Sequence, residues 1–121
     1  ILPVPLGRER YQQRGYNQAA LLAYPLALAT GLSYQPNGIK KTRDTATQVG
    51  LSFEQRRTNV SGAFYADRKI VQNKKVLVID DVMTSGATIE SCASAIMRAG
   101  AIRVYGMTLA QAPDVSISRT A

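Results

Sequence analysis

The sequence contains no histidine. Histidine is the most common general base and the most common metal ligand in proteins, and a Ser-His-Asp triad depends on it. Any chemistry must therefore rest on carboxylates, hydroxyl groups, lysine, arginine or a bound metal ion. The single cysteine, Cys92, cannot form an internal disulfide and is too isolated for a structural zinc site, which makes a cytoplasmic setting the default expectation.

Long apolar runs are also absent. The most apolar segment, residues 19–29, is shorter than the ~20 residues that cross a bilayer, and Pro25 interrupts it. The sequence has no basic segment followed by an apolar core and a small-residue cleavage site, so nothing in it indicates export. We therefore expect a cytoplasmic protein without a membrane span.

Acidic residues are few, with eight Asp and Glu against fifteen Lys and Arg, and the formal net charge is +7. Residues 1–75 carry twelve basic and four acidic side chains, a net +8, whereas residues 76–121 carry three and four, a net −1. The first part is therefore expected to face a polyanion. A substrate that carries a pyrophosphate, or a nucleic acid, would satisfy that charge.

The most informative segment is residues 76–88, with the sequence V-L-V-I-D-D-V-M-T-S-G-A-T. Its first four residues form an apolar run typical of a strand covered on both faces in a parallel sheet. Asp80 and Asp81 follow at the carboxyl end of this strand, where open α/β sheets bind ligands. Gly86 can adopt a positive φ in the loop that comes next, and the following helix adds its positive N-terminal end. The segment thus predicts an anion-binding loop beside two carboxylates.

Three other interpretations of the paired acids were considered. A P-loop ATPase also has a hydrophobic strand that ends in acids, but it needs a Gly-Lys pair, which this sequence lacks. The acidic pair of a response regulator would lie near the first strand of its domain, whereas this pair lies at residues 80–81 of 121. A purely structural Asp-Asp turn stays open, although it leaves the T-S-G-A-T loop without a role.

Adjacent carboxylates can accept hydrogen bonds from a vicinal diol while the loop donors surround a phosphate, and together they suit a ribose 5-phosphate. All thirteen positions resemble the 5-phosphoribosyl 1-diphosphate (PRPP) signature of the type I phosphoribosyltransferases. The resemblance implies that Asp80 and Asp81 are catalytic residues that bind the ribose hydroxyls. It also implies a loop that holds the 5'-phosphate, formed by Thr84, Ser85, Gly86, Ala87 and Thr88.

Smaller motifs resemble the ComF family, which includes the GntX-type proteins and is named for DNA uptake in competent bacteria. These are V-P-L at residues 4–6, R-G-Y-N-Q-A at 14–19, K-K-T-R-D-T at 40–45 with Gln48, and R-R-T-N-V-S-G-A-F at 56–64. The resemblance implies a three-layer α/β fold with a central, mainly parallel sheet. We expect one domain over residues 1–121, a reduced or absent hood for the acceptor, and a chain that lacks the zinc-binding module found upstream in the family.

The same resemblance suggests further ligands for PRPP. Arg14 and Gly15 are predicted to contact the diphosphate, and Lys41 and Arg43 to lie in a flexible loop that closes over the substrate. Mg²⁺ is expected to arrive on the PRPP diphosphate, with no metal site formed by the protein. The function implied is a phosphoribosyltransferase with an unknown acceptor. The alternative is a non-catalytic PRPP or nucleotide sensor, or an adaptor that binds single-stranded DNA during DNA uptake.

Local patterns predict the remaining elements. Residues 1–6 are predicted as a strand, residues 7–17 as a basic loop, and Asn17 as the N-cap of a helix that ends at Gly31 and that Pro25 kinks or splits. Ser52 and Gln55 are typical of a capping box. Predicted extended segments are residues 39–43, 63–65, 70–71 and 102–109. A helix is predicted from the stripe formed by Ile89, Cys92, Ala93, Ile96 and Met97.

Overall fold

The computed structural model describes residues 1–42, 52, 54–55, 62–83 and 85–112, and all structural statements below concern these residues. The strands are β1 (Leu2–Pro3), β2 (Ile39–Lys41), β3 (Phe64–Ala66), β4 (Lys75–Met83) and β5 (Arg103–Gln111). The helices are α1 (Arg8–Arg14), α2 (Gln18–Thr30), α3 (Arg68–Val71) and α4 (Ala87–Arg98).

Strand β4 is the centre of a parallel sheet, with β1 on one side and β5 on the other. Leu2 is paired with Val78, and Val78 is paired with Gly106, so the three strands begin at one end of the sheet and finish at the other. Strands β2 and β3 form a separate antiparallel pair. The α/β class with a mainly parallel sheet is thereby confirmed.

Helices cover both faces of β4. Successive strand side chains point to opposite faces, and Val76 and Val78 belong to the main core together with Cys92 and Ile96 of α4. Helix α2 contacts β1 and β4, and it buries an alanine stripe made of Ala19, Ala23 and Ala27, which lies outside that core. The small side chains let α2 approach the second face of the sheet closely. The predicted layers, helix on sheet on helix, are therefore present.

Several local predictions were correct. The Asn17 carboxamide oxygen accepts a hydrogen bond from the backbone N–H of Ala19 at 3.0 Å, and Gly31 ends α2 with a φ of 74°. The capping box forms in both directions, because the Ser52 N–H donates to Gln55 Oε1 at 2.9 Å and the Gln55 N–H donates to Ser52 Oγ at 3.2 Å. These features depend on neighbouring residues alone, so the local sequence specifies them.

Other local predictions were wrong. The segment predicted as a basic loop contains α1, and residues 70–71 lie in α3, which the Asp67 carboxylate caps through the Lys69 N–H at 2.9 Å. Pro25 lies inside α2, which runs unbroken from Gln18 to Thr30, so the helix is not split there, and the kink stays a prediction. Met97, predicted on the buried stripe of α4, is 48% exposed. Among the described residues, no helix combines the length and the apolarity needed to span a bilayer.

Candidate functional site

A pocket of about 230 Å³ opens where the carboxyl ends of β1 and β4 meet. It brings together acidic side chains, basic side chains and a helix N-terminus from four separate parts of the chain. The charged and polar residues that line it are Arg10, Arg14, Lys41, Asp80, Asp81, Ser85 and Thr88. These side chains therefore converge at the carboxyl end of the sheet.

The two aspartates lie inside β4, which continues to Met83, two residues beyond the pair. Both are half-buried and both line the pocket. The Asp80 carboxylate accepts the N–H of Asp81 at 2.9 Å, and the Asp81 carboxylate accepts the N–H of Val82 at the same distance. These bonds hold the carboxyl groups near the backbone while leaving further oxygen lone pairs for a ligand.

Burial raises the pKa of Asp80 from 3.8 to about 7, and the Asp81 side chain adds to the rise, whereas the Asp81 backbone N–H opposes it. Loss of solvation disfavours the charged carboxylate, and a neighbouring acid disfavours it further. Asp80 therefore exchanges its proton near neutral pH. A shift of this size within a pocket is typical of functional sites.

The loop after β4 leads directly into α4. Gly86 has a φ of 81° and is the N-cap of α4, so the positive φ predicted for it is confirmed. The Ser85 hydroxyl accepts the N–H of Ala87 at 3.3 Å, and the N-cap residue Gly86 provides no side-chain cap of its own. The positive end of α4 therefore faces the pocket beside Thr88, as an anion site requires. Thr84, assigned to the same loop, lies outside the described residues.

Helix α1 carries the arginines of the site. Arg10 and Arg14 are four residues apart on one helix face, and both line the pocket. The Arg14 guanidinium donates to Gln18 Oε1 at 3.2 Å, which anchors it beside the start of α2. The Asn17 amide donates to the Val4 carbonyl at 3.0 Å and ties this corner to the end of β1. The helical spacing of residues 8–14 places Arg10 on the same face as Arg14, which the prediction of a loop did not indicate.

Gly15 does not line the pocket. It ends α1 with a φ of 77°, and its N–H donates to the Tyr11 carbonyl at 2.7 Å. A glycine suits this position because a left-handed C-cap is strained for most other residues. The structure therefore gives Gly15 a role at the end of α1, and its contact with the diphosphate stays a prediction.

Lys41 reaches the pocket from a strand, although it was predicted in a flexible loop. It is the last residue of β2, and its ammonium group lies 5.9 Å from the centre of the Phe64 ring. Phe64 is buried and also lines the pocket, a role that the sequence did not indicate. Arg43, the other residue of the predicted loop, lies outside the described residues.

Cys92 is fully buried in α4, directly beneath this end of the sheet. Burial raises the pKa of its thiol, and the charge of Asp80 raises it further. A thiol that keeps its proton is a poor nucleophile, and we interpret Cys92 as a packing residue.

The pocket contains binding partners for two kinds of ligand group. Carboxylates accept hydrogen bonds from sugar hydroxyls, while arginine, lysine and a helix N-terminus bind phosphate oxygens. Within the described residues, no cluster of three or more His, Cys, Asp or Glu could hold a metal ion. The pocket therefore offers acceptors for hydroxyl groups together with donors for phosphate oxygens.

Comparison with known proteins gives matches over most of the chain. The chain matches the phosphoribosyl transferase domain family over residues 14–115. It is 38% identical over 104 residues to the DNA utilization protein YhgH of Escherichia coli O157:H7, an alignment that covers 86% of this chain and 45% of that protein. It is 35% identical over 114 residues to Competence protein F of Haemophilus influenzae, with 91% and 50% covered. The chain thus spans about half the length of the curated relatives it matches.

Two further matches, one to a relative and one to a solved structure, also cover most of this chain. Competence protein ComFC of Bacillus subtilis is 31% identical over 114 residues, which cover 90% of this chain and 43% of that protein. A solved structure described as the allosteric regulatory enzyme of purine biosynthesis superposes with a TM-score of 0.56 at 23% identity, covering 89% of this chain and 21% of that one. The second match concerns the fold alone. The signature on β4, the pocket at its carboxyl end and the match over residues 14–115 lead to one conclusion: this chain belongs to the phosphoribosyl transferase domain family.

Proposed function

We propose that this chain binds PRPP and displaces diphosphate from C1 of the ribose, with an acceptor that its sequence does not identify. One observation carries the proposal: the carboxylates of Asp80 and Asp81 share a pocket with Arg10, Arg14 and Lys41. A sugar that carries phosphate at both ends needs such a division between acceptors in the middle and cations at the ends.

The residues take the following roles. Asp80 and Asp81 accept hydrogen bonds from the two ribose hydroxyls, and their negative charge stabilises positive charge that develops at C1. The N-terminal end of α4, with Ser85 to Thr88, binds the 5'-phosphate. Arg14, with Arg10 and Lys41, binds the diphosphate as the C1–O bond breaks and the electron pair leaves with it. The acceptor's lone pair then forms the new bond to C1.

A divalent cation fits this site as part of the substrate. The pocket offers two carboxylates and no histidine, which is a small ligand set for a resident ion. Mg²⁺ carried by the diphosphate would neutralise its charge and improve it as a leaving group.

Binding is tested by thermal unfolding with PRPP, with and without Mg²⁺. A ligand that binds only the folded state raises its stability, so PRPP and ribose 5-phosphate should raise the Tm. No shift with millimolar ligand would contradict the proposal. A screen for diphosphate release with purine, pyrimidine and amine acceptors then tests turnover.

Variants test the roles separately. Asp80→Asn with Asp81→Asn should weaken PRPP far more than inorganic phosphate, because the altered groups contact the sugar. Arg14→Ala should weaken PRPP, whereas Arg8→Ala, an exposed arginine of α1 that does not line the pocket, is the matched control. Equal losses for PRPP and phosphate in the double variant would show that the carboxylates do not bind the sugar.

The second candidate is an adaptor that binds single-stranded DNA without turnover. The relatives, which are a DNA utilization protein and two competence proteins, favour it, as does the net charge of +7. PRPP binding without diphosphate release by any acceptor, together with DNA binding, would support the adaptor or a PRPP sensor.

A further inference from the structure

The charges of residues 62–112 are separated between the two ends of the sheet. All six Lys and Arg side chains of this segment lie at the amino end of the strands, on α3, at the start of β4 or β5, or in the last turn of α4. They are Arg68, Lys69, Lys74, Lys75, Arg98 and Arg103. Three of its four acids, Asp80, Asp81 and Glu90, lie towards the carboxyl end. The amino end is therefore strongly positive, and the proposed transferase chemistry does not use it.

A second pocket, of about 390 Å³, opens at this amino end. Lys69, Lys74 and Lys75 line it, and none of its lining residues is acidic. Lysine is a point charge with three donors that suits phosphate oxygens. The rim of the pocket therefore carries three cations, which come from α3, the turn after it and the first residue of β4.

The rest of the lining is not typical of a site for an inorganic ion. Leu2, Ile70 and Leu77 contribute apolar lining, and Ser33 with Gln35 contributes a polar edge in addition to the lysines. The Gln35 amide donates to the Ser33 hydroxyl at 2.8 Å, which leaves the amide oxygen and the hydroxyl proton available to a ligand. The ligand should therefore combine an apolar face, a hydrogen-bonding edge and a phosphate.

We propose that this amino-end pocket binds a nucleoside phosphate unit, with the base against the apolar lining and the phosphate among the three lysines. A purine or pyrimidine has flat apolar faces and a polar edge, and its 5'-phosphate lies one sugar away. A fatty acid would leave the polar edge unpaired, and inorganic phosphate would leave the apolar lining uncovered. The unit can be a free nucleotide or one residue of a nucleic-acid single strand.

The new site is separate from the candidate phosphoribosyl site. Lys75 and Asp80 are five residues apart on β4, about 16 Å at the rise of a strand. A ligand of one nucleotide cannot reach from one set of side chains to the other. The inference therefore goes beyond the proposed function, and either can fail without the other.

Binding is tested by NMR titration of the whole chain with AMP, with adenosine and inorganic phosphate as partial ligands. AMP should shift the amide signals of Ser33, Gln35, Lys69 and Lys75 and bind at least tenfold more tightly than either partial ligand. Lys69→Ala with Lys75→Ala should weaken AMP at least tenfold. Arg98→Ala with Arg103→Ala is the matched control, because it removes the same charge from the same end without altering the pocket lining.

Two results would overturn the proposal. In the first, the amide signals that AMP shifts are confined to residues 80–88, and these shifts are lost in the Asp80→Asn, Asp81→Asn variant. The other is equal weakening by the lysine pair and the arginine pair, which would indicate diffuse attraction instead of a pocket. A comparison of AMP with a twelve-nucleotide deoxyadenosine strand shows whether the bound unit is a free nucleotide or part of a nucleic acid. A strand that binds at least tenfold more tightly indicates nucleic acid, and equal affinity per site indicates a free nucleotide.

Discussion

Asp80 lies at the boundary between the pocket and the protein core. Its carboxyl group lines the pocket, while its charge acts on the fully buried Cys92 of α4. Removing a carboxylate from water costs free energy unless partners replace the lost solvation. The partner at hand is another acid, Asp81, so the protonated form of Asp80 is favoured up to about pH 7. A diol ligand would supply hydrogen bonds that the free protein lacks.

This burial predicts a pH dependence of stability. The pKa of Asp80 is raised in the folded state, so the folded protein holds this proton between about pH 4 and pH 7 while the unfolded chain releases it. The contribution of Asp80 to stability therefore falls as the pH rises through this window. Asp80→Asn removes this dependence, so it should stabilise the protein relative to wild type more at pH 8 than at pH 4.5, by up to about 3 kcal/mol for the roughly 2.5 pK units crossed.

Urea unfolding of both proteins at the two pH values measures the difference. A difference between wild type and Asp80→Asn that does not change with pH would show that burial does not perturb this carboxyl group. PRPP affinity provides a second measurement, because the diol needs an ionised acceptor and should bind more tightly above pH 7 than below it.

Helix α4 connects the phosphate loop to the sheet. Its first residues lie at the pocket, and its buried face contacts β3, β4 and β5. Packing against β5 is close at one point, where a Cβ placed on Gly106 would lie 2.8 Å from Cγ2 of Ile89. The position of the loop proposed to bind the 5'-phosphate therefore depends on a glycine in the neighbouring strand.

Gly106→Ala should push Ile89 and the first turn of α4 away from the sheet. Overpacking of this kind destabilises proteins by about 1–3 kcal/mol, and the displacement should also weaken PRPP. In an Ile89→Ala background the conflicting methyl is absent, so the same change at Gly106 should cost less stability. Urea unfolding of the four proteins in a double-mutant cycle measures the coupling. Additive effects would show that the contact does not limit the packing of α4.

At the scale of the whole molecule, charge and topology are linked. Parallel strands place all their carboxyl ends at one edge of the sheet, so the pocket of Asp80 and Asp81 and the lysines before β4 occupy opposite ends. The acids partly offset the cations of α1 and β2 at one end. The other end keeps six cations with Asp67 as the one acid among residues 62–112 on that side. The net charge of +7 is therefore unevenly distributed.

This distribution predicts how single-stranded DNA would bind. We expect weak binding that falls steeply with salt, with a log–log slope near −3 if about four phosphates are neutralised. Saturating Mg²⁺ and PRPP should leave most of this binding intact, because the larger cation cluster lies away from the phosphoribosyl pocket. Fluorescence anisotropy of a labelled strand at several salt concentrations measures both effects. Complete displacement by PRPP would place the DNA on Arg14 and its neighbours instead.

The sequence by itself determined the features that depend on adjacent residues. The apolar run before Asp80, the positive φ of Gly86 and the cap at Asn17 all follow from local chemistry, and each is present in the structure. The β4 signature and its family could be recognised for the same reason, because the signature consists of adjacent residues. An apolar strand, two acids and a small-residue loop require no knowledge of distant contacts.

Only the tertiary structure decided which distant residues join that signature. Arg10 reaches the pocket because α1 follows directly after β1. Lys41 reaches it because β2 pairs with β3, which packs beside α4, and these contacts link residues that are far apart in the chain. The short helix α1 is polar and has no side-chain cap among the described residues, so its sequence carries little helical signal. The amino-end pocket likewise exists only because parallel pairing of β1 and β4 places Leu2 beside the lysines that precede β4.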